Sequence, residues 1–501
     1  MNVVWITLQV INIVTWLLLF LYGMHYYLIC FLFLRKKRDF KLPEPTKLSA
    51  AKKRKVLIQL PIFNELYVVE RLIRNIAGIR WPKQNLEIQV LDDSTDETTK
   101  LARKLVAEYK KKGLNIKLIH RIDRVGHKAG ALKEGMAKSK AEFIAIFDSD
   151  FLPESDFLER TIPYLMADDK AAFVQTRWDH VNKEYSGLTY AQALAIDGHF
   201  TVEQNARSMH RLWMNFNGTA GVWRKIAIED AGNWSGDTLT EDLDLSYRAQ
   251  LNGWSCYFLP DVRCPAEIPH LIMPYKAQQF RWAKGSIQTA KKLLGKVLKA
   301  KAKLRNKAEA AIHLTYYSVQ FLMILNLLSL APLVIGKQTP SDISFLIPFV
   351  LFTFGLFAPV TLTLVAQKHL KNKSWKAIKA LPFLFCMGLG ISVYICVAFI
   401  EAIAGKKSSF IRTPKFGIGN TKSNEDTKKK YGNLKFSYVL YLEIIFSLFF
   451  YAEAGFIFLN REDSNMIFFY FPVMMAVALT YVVYRTIKDT RLMRRPDAES
   501  E

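Results

Sequence analysis

The sequence predicts an α/β domain with a mostly parallel sheet, inserted between α-helical transmembrane segments. Three observations lead there. Long apolar runs open the chain and fill most of it after Ala311, and the stretch between them is mixed in character and large enough to bury its own core. Half of the 501 residues are hydrophobic although the formal net charge is +24, too apolar for an ordinary soluble protein and too charged for one lying wholly in lipid. Within the mixed stretch, short apolar strands alternate with helical segments, the pattern of a parallel sheet wrapped by helices.

Spans of about 20 mostly apolar residues fall near Val10 to Leu34, Ala311 to Ile335, Ile343 to Ala366, Leu381 to Ala404, Tyr438 to Leu459 and Met466 to Tyr484. The first run is long, no small-residue cleavage site follows it, and Arg35, Lys36, Lys37 and Arg38 come next, so it reads as an anchor rather than a signal peptide. The positive-inside rule then places the amino terminus outside and the inserted domain in the cytoplasm. Basic clusters flank Leu381 to Ala404 on both sides, with Lys368, Lys371, Lys373, Lys376 and Lys379 before it and Lys406, Lys407, Arg412 and Lys415 after it. A crossing there would leave one cluster outside, so this segment is expected to lie in the interface or re-enter, leaving five crossings.

The expected organisation is an anchor over 1–38, a cytoplasmic catalytic domain over 50–300 and two transmembrane helices over 311–366. An interfacial or re-entrant helix with a loop follows over 376–435, then two transmembrane helices over 436–485 and a cytoplasmic tail over 486–501. Cytoplasmic basic loops beside anionic lipid account for much of the charge. No nucleic-acid partner is needed to explain it. The cysteines, Cys30, Cys256, Cys264, Cys386 and Cys396, have neither metal-site nor disulfide spacing and read as buried thiols.

The expected strands are Val56 to Pro61, Glu87 to Asp93, Asn115 to Arg121, Phe143 to Asp150 and Ala171 to Trp178. In such sheets ligands bind beyond the carboxyl ends of the strands. Asp92 with Asp93 finishes one strand and Asp148 with Asp150 finishes another. Acids at strand ends also serve as turn formers and helix caps, but two pairs at one edge favour a site. Mg²⁺ or Mn²⁺ is held by one or two carboxylates together with substrate phosphates and neutralises a departing diphosphate, which gives the second pair a chemical reason. In "RVGHKAGAL", Gly126, Lys128 and Gly130 put a cation in a turn that opens a helix, suited to phosphate or base contacts or simply an exposed lysine.

Further along, Thr240, Glu241 and Asp242 begin an amphipathic helix, where such residues are also ordinary helix starters. Gln278, Arg281 and Trp282, at i, i+3 and i+4, emerge on one helical face. A guanidinium grips an anion bidentately, and an indole offers a plane to a sugar ring. The alternative is a helix whose Trp and Arg rest at the membrane interface.

Taken in order, these residues, with the stretches "VLDDSTD", "KAGALKEGM", "FNGTAGVWR" and "QQFRW", resemble the family 2 glycosyltransferases of the cellulose synthase superfamily. The likeness is strongest to the cellulose-synthase-like A and C proteins, which make β-1,4-mannan and glucan backbones. It covers about Leu57 to Leu294, plus "FIRTPK" near Phe410. It implies a GT-A-type domain in which Asp92 and Asp93 contact the nucleotide, and Asp148 and Asp150 hold the diphosphate and Mg²⁺ or Mn²⁺. Lys128, Gln278 and Arg281 would bind the donor. Asp242 would be the general base, with Trp282, Asn217, Gly218 and Glu241 at the acceptor. "SSFIRTPKFG" resembles the mobile Phe-x-Val-Thr-x-Lys gating loop of processive synthases, so Phe410, Thr413 and Lys415 are its expected working residues. Arg177 and Trp178 are read as a strand end lining the acceptor groove.

The implied activity is an inverting, processive hexosyltransferase in a multi-pass membrane protein, at the plasma or inner membrane if bacterial. It would take UDP-glucose or GDP-mannose, with the reading leaning to UDP-glucose, and extrude a β-1,4-linked polysaccharide. Its partners would be the nucleotide-sugar donor, the growing polysaccharide and the bilayer, with room for accessory export proteins. A rival is a single-transfer lipid glycosyltransferase resembling ceramide glucosyltransferases. A transporter or receptor with a nucleotide-sensing domain would leave Asp242 and Trp282 without a role. No soluble regulatory domain follows the last span, so regulation by a cyclic dinucleotide within this chain is not expected.

Overall fold

The computed structural model describes residues 3–36, 41–339, 343–372, 374–406, 415, 417, 437–460 and 466–494. Helix α1 (Val3–Lys36) opens the chain. Its 34 residues make about 51 Å of helix, longer than a hydrocarbon layer of about 30 Å. The domain then alternates β1 (Val56–Ile62), α2 (Val69–Ala77), β2 (Leu86–Asp92), α3 (Thr98–Lys111), β3 (Ile116–His120), α4 (His127–Ala137), β4 (Phe143–Ile146), α5 (Phe157–Ala167) and β5 (Ala171–His180). Helix α6 (Gly187–Gly198) runs through a π turn (His199–Glu203) into α7 (Gln204–His210), followed by β6 (Gly221–Arg224), α8 (Glu241–Leu251) and β7 (Ser255–Ala266).

The sheet order is β3-β2-β1-β4-β6-β5-β7. All strands run one way except β6, which is antiparallel to both β4 and β5. Strands β1 and β4 are neighbours although β2 and β3 come between them in sequence, so the chain reverses its winding there. That is the place where open α/β sheets bind ligands. The central strands are buried on both faces, hence their mostly apolar runs.

Two buried glutamines interrupt that apolar surface. Gln59 donates to Gln89 Oε1 at 3.2 Å and to the Leu132 carbonyl at 3.1 Å, and Gln89 donates to the Gly135 carbonyl at 2.9 Å. They dock α4 on the sheet. A side chain at Gly135 would place Cβ 2.4 Å from Gln89 Oε1, so the seat requires glycine.

Beyond the sheet follow α9 (Ile272–Lys299), α10 (Leu304–Thr315), α11 (Ser318–Ile335), α12 (Ile343–Leu356), α13 (Ala358–His369), α14 (Ser374–Gly390), α15 (Ser392–Ile403), α16 (Tyr438–Leu459) and α17 (Tyr470–Arg494). Among the described residues, five stretches are long and apolar enough to cross a membrane: Val3–Arg35, Ser318–Ile335, Phe345–His369, Tyr438–Leu459 and Met466–Arg491. Helices α14 and α15 meet at a 40° bend, the shape of either a broken span or a re-entrant loop.

The expected span from Ala311 is shorter than read, because α10 ends at Thr315 and the span proper begins at Ser318. The Ser318 hydroxyl takes the Thr315 carbonyl at 2.7 Å, a local bond that competes with helix continuation, and Tyr22 from α1 caps the break through Thr315 Oγ1 at 2.8 Å. Among the described residues the cysteines are unpaired, with Cys30, Cys264 and Cys396 buried and Cys256 and Cys386 only partly so.

Candidate active site

An open cavity lies at the carboxyl ends of the strands, beside the β1–β4 reversal. Asp148 and Asp150 follow β4 into it, Asp93 follows β2, Lys128 enters from α4, and Asp242 enters from α8. From α9 come Gln278, Arg281 and Trp282, on the single helical face that the spacing predicted.

Lys128 is the second residue of α4, behind Gly126, whose φ of +70° supplies the turn. Its ammonium donates to Asp148 Oδ1 at 2.7 Å and to the Gly218 carbonyl at 2.9 Å, and lies 4.0 Å from Glu241. Burial works against that charge, but Asp148, Glu241 and Asp242 outweigh it and hold the lysine pKa above its ordinary value. Asp148 is fixed from behind by its amide bond to Thr219 Oγ1 at 2.9 Å.

Asp242 stands in the first turn of α8, its Oδ1 accepting from the Leu243 amide at 2.9 Å. Burial pushes its carboxyl up to about 7, the adjacent Glu241 carboxylate adds to the rise, and Lys128 opposes it. Burial raises Glu241 as well. The backbone beside Asp242 is crowded: a Cβ on Gly218, which has a φ of +79°, would lie 2.9 Å from Asp242 Oδ2. Opposite, the Thr240 turn packs on α9, where a Cβ on Gly285 would lie 2.5 Å from Thr240 Cγ2.

Not every expected residue reaches the cavity in the same way. Asp93 lines it, but both its oxygens are taken by Arg121 at 2.8 and 2.7 Å. Asp92 is fully buried and does not line it, because its carboxylate accepts from the Ser94 amide at 3.0 Å and meets His120 Nδ1 at 2.9 Å. Asp150 is buried, with Oδ2 accepting from Lys415 at 2.7 Å and from the Glu267 amide at 3.2 Å. Phe410 and Thr413 lie outside the described residues.

A second cavity shares Asn217, Asp242, Gln278 and Trp282 with the first and continues toward α1 and the break before α11, where Tyr26, Tyr316 and Tyr317 line it. Trp178 lines both and stacks on Phe200, with ring centroids 4.9 Å apart. Arg177 does not line either cavity.

Sequence reasoning missed His199 and Glu203, which face each other at 3.5 Å across the π turn and line the second cavity. It also missed Arg124, stacked over the Phe63 ring at 3.4 Å beside the first. A π turn is a frequent marker of a functional wall, but no local motif announces one.

Acidic groups at a sheet reversal, a cation between them, an elevated carboxyl and an indole in the same lining make a cleft suited to a phosphorylated ligand. Residues 54–285 match the family model described as glycosyltransferase like family 2. The chain is 47% identical over 250 residues to a probable glucomannan 4-beta-mannosyltransferase 7 of Oryza sativa, covering 49% of this chain and 43% of that one. It is 44% identical over 247 residues to glucomannan 4-beta-mannosyltransferase 9 of Arabidopsis thaliana, covering 48% of this chain and 46% of the relative. The chain thus spans about half the length of the curated relatives it matches. Among solved structures, a mannosyltransferase, PcManGT from Pyrobaculum calidifontis, in complex with GDP-Man and Mn²⁺, shares the fold at a TM-score of 0.53. It is 20% identical, and the match covers 80% of this chain and all of that one.

Proposed function

We propose that the protein is an inverting membrane glycosyltransferase that adds mannose from GDP-mannose to a growing β-1,4-linked polysaccharide. The observation that carries this is the position of Asp242, which opens onto the donor-side cavity and the second, aromatic cavity together. The names of the relatives favour mannose over glucose and replace the leaning to UDP-glucose.

In the proposed mechanism, Asp242 accepts the proton of an acceptor hydroxyl as its oxygen attacks the anomeric carbon of the donor. The bond from that carbon to the diphosphate oxygen breaks, and the leaving charge falls to Lys128 and Arg281. One displacement with one base inverts the anomeric centre, turning an α-linked donor into a β-linkage. Trp282 stacks on the acceptor ring, and Asn217, Gly218 and Glu241 complete the wall around it. Gln278 orients the donor from the same helical face.

A divalent ion fits Asp148 and Asp150. Their oxygens are hard donors, and among the described residues Asp150 Oδ1 is buried without a hydrogen-bond partner. Mg²⁺ or Mn²⁺ held there with the donor phosphates would neutralise diphosphate charge. Lys415 donates to the same carboxylate, which supports assigning it to a gating loop. The acceptor chain leaves past Trp282 along the second cavity into the membrane helices, with the domain on the cytoplasmic side.

The test is to supply purified membranes with labelled GDP-mannose or UDP-glucose and digest the product with linkage-specific glycanases. A ladder of β-mannanase-sensitive product is the expected result. One sugar on a lipid would establish the single-transfer alternative instead, and transfer only from UDP-glucose would overturn the donor assignment.

A further inference from the structure

Helix α9 has two working faces. One face carries Gln278, Arg281 and Trp282 and also holds the turn of the proposed base: Gln288 Oε1 accepts from the Leu239 amide at 3.0 Å, and Thr289 Oγ1 meets Thr240 Oγ1 at 3.3 Å. Lys276, Phe280 and Lys284 follow one another at i, i+4 and i+8 along the other. Both lysines are fully buried, an expensive state for an ammonium unless it is paired.

Their partners come from the membrane helices. Lys276 Nζ lies 2.7 Å from Glu443 of α16, which is itself fully buried, and Lys284 Nζ lies 2.7 Å from Glu401 of α15. Phe280 packs between them on Tyr394 of α15, with centroids 5.3 Å apart. Two further bonds extend the contact, from Lys291 to the Ile403 carbonyl at 2.8 Å and from the Ile272 amide to Asp489 of α17 at 2.9 Å.

From this arrangement we infer that Glu443 and Glu401 are positioning residues for sugar transfer, acting through Lys276 and Lys284 to set where α9 holds Trp282 against Asp242. The inference rests on the proposed glycosyltransferase reading for its chemistry, but the clamp itself is a matter of geometry. A buried pair tolerates the loss of one partner poorly, because the remaining charge has no solvent to turn to. A helix released at that face shifts, and small misplacements of reacting groups cost rate steeply.

The experiment uses the full chain in detergent or nanodiscs, with the variants Glu443→Gln, Glu401→Gln and the exchanged pair Lys276→Glu with Glu443→Lys. Two readouts are taken, turnover per folded enzyme and amide hydrogen exchange over residues 239–243. The single variants should lose transfer by roughly tenfold or more, keep GDP binding near the wild-type value and exchange faster over 239–243. The exchanged pair should recover both. Unchanged turnover and exchange in folded single variants would overturn the clamp, as would an exchanged pair that restores folding but neither readout. If Glu443→Gln does not fold, the same two readouts in Lys276→Met with Glu443→Leu decide, since that variant removes both charges together. A wild-type chain that transfers no sugar, with faster exchange in the variants, would sink the enzymatic reading and leave the clamp standing.

Discussion

The ammonium of Lys128 lies 2.7 Å from Asp148 and 4.0 Å from Glu241, so one cation joins the acids that follow β4 to the acids that open α8. The carboxylates that follow β4 and those that open α8 are therefore electrostatically one group. The charge state of Asp242 depends on a lysine paired with Asp148.

That coupling fixes a pH dependence. As the proposed base, Asp242 would act only when ionised, and burial pushes its carboxyl up to about 7, so transfer should rise with pH and level off above neutrality. Lys128 lowers that pKa. Replacing Lys128 with Met should therefore move the acidic limb of the pH–rate curve to higher pH, besides weakening donor binding. A limb at lower pH than in the wild type would contradict the assignment.

Asp242→Asn should retain nucleotide binding and lose transfer by roughly 10² to 10⁴-fold, about 3 to 5 kcal/mol of barrier. Isothermal titration with GDP beside a radiolabel transfer assay separates the two effects. Near-normal turnover would remove Asp242 from its role.

Gly218→Ala meets two obstacles, a left-handed φ of +79° and a Cβ 2.9 Å from Asp242 Oδ2. The backbone term alone should cost roughly 1 to 2 kcal/mol of stability, and displacement of Asp242 should reduce turnover further than the stability loss explains. Thermal inactivation and kcat measured on the same preparation test this. Equal effects on the two would mean that the contact with Asp242 does not matter.

Topology is checked by single cysteines in a background lacking the native ones. Cysteines at Thr339 and Asn460 should react with an impermeant maleimide from outside, and one at Lys376 should not. Labelling of Lys376 from outside would reverse the proposed orientation.

The sheet was readable where strands are buried on both faces, because β1, β2 and β4 are mostly apolar and β2 and β4 lead into acids. Strand β6 escaped notice at four residues, and β7 because "SCYFLPDVRCPA" mixes proline and charges along an edge of the sheet. The helical face of Gln278, Arg281 and Trp282 followed from spacing alone. Asp92 shows the limit of that approach: two adjacent acids at a strand end point to opposite sides, and sequence does not say which carboxylate meets the ligand. The second cavity was out of reach for another reason. Tyr26, His199 and Tyr317 come from three distant segments, joined only by tertiary packing.

The paired amides of Gln59 and Gln89 beneath α4 have a consequence for how this site responds to its medium. They locate the helix bearing Lys128 with uncharged dipoles in a dry interior, which dissolved ions reach poorly. The lysine is thus held by parts that ignore ionic strength, while the attraction it exerts on an approaching polyanion across open solvent is screened. Added salt should slow capture of the donor and leave the rate after capture almost untouched, so that the enzyme loses appetite without losing aim.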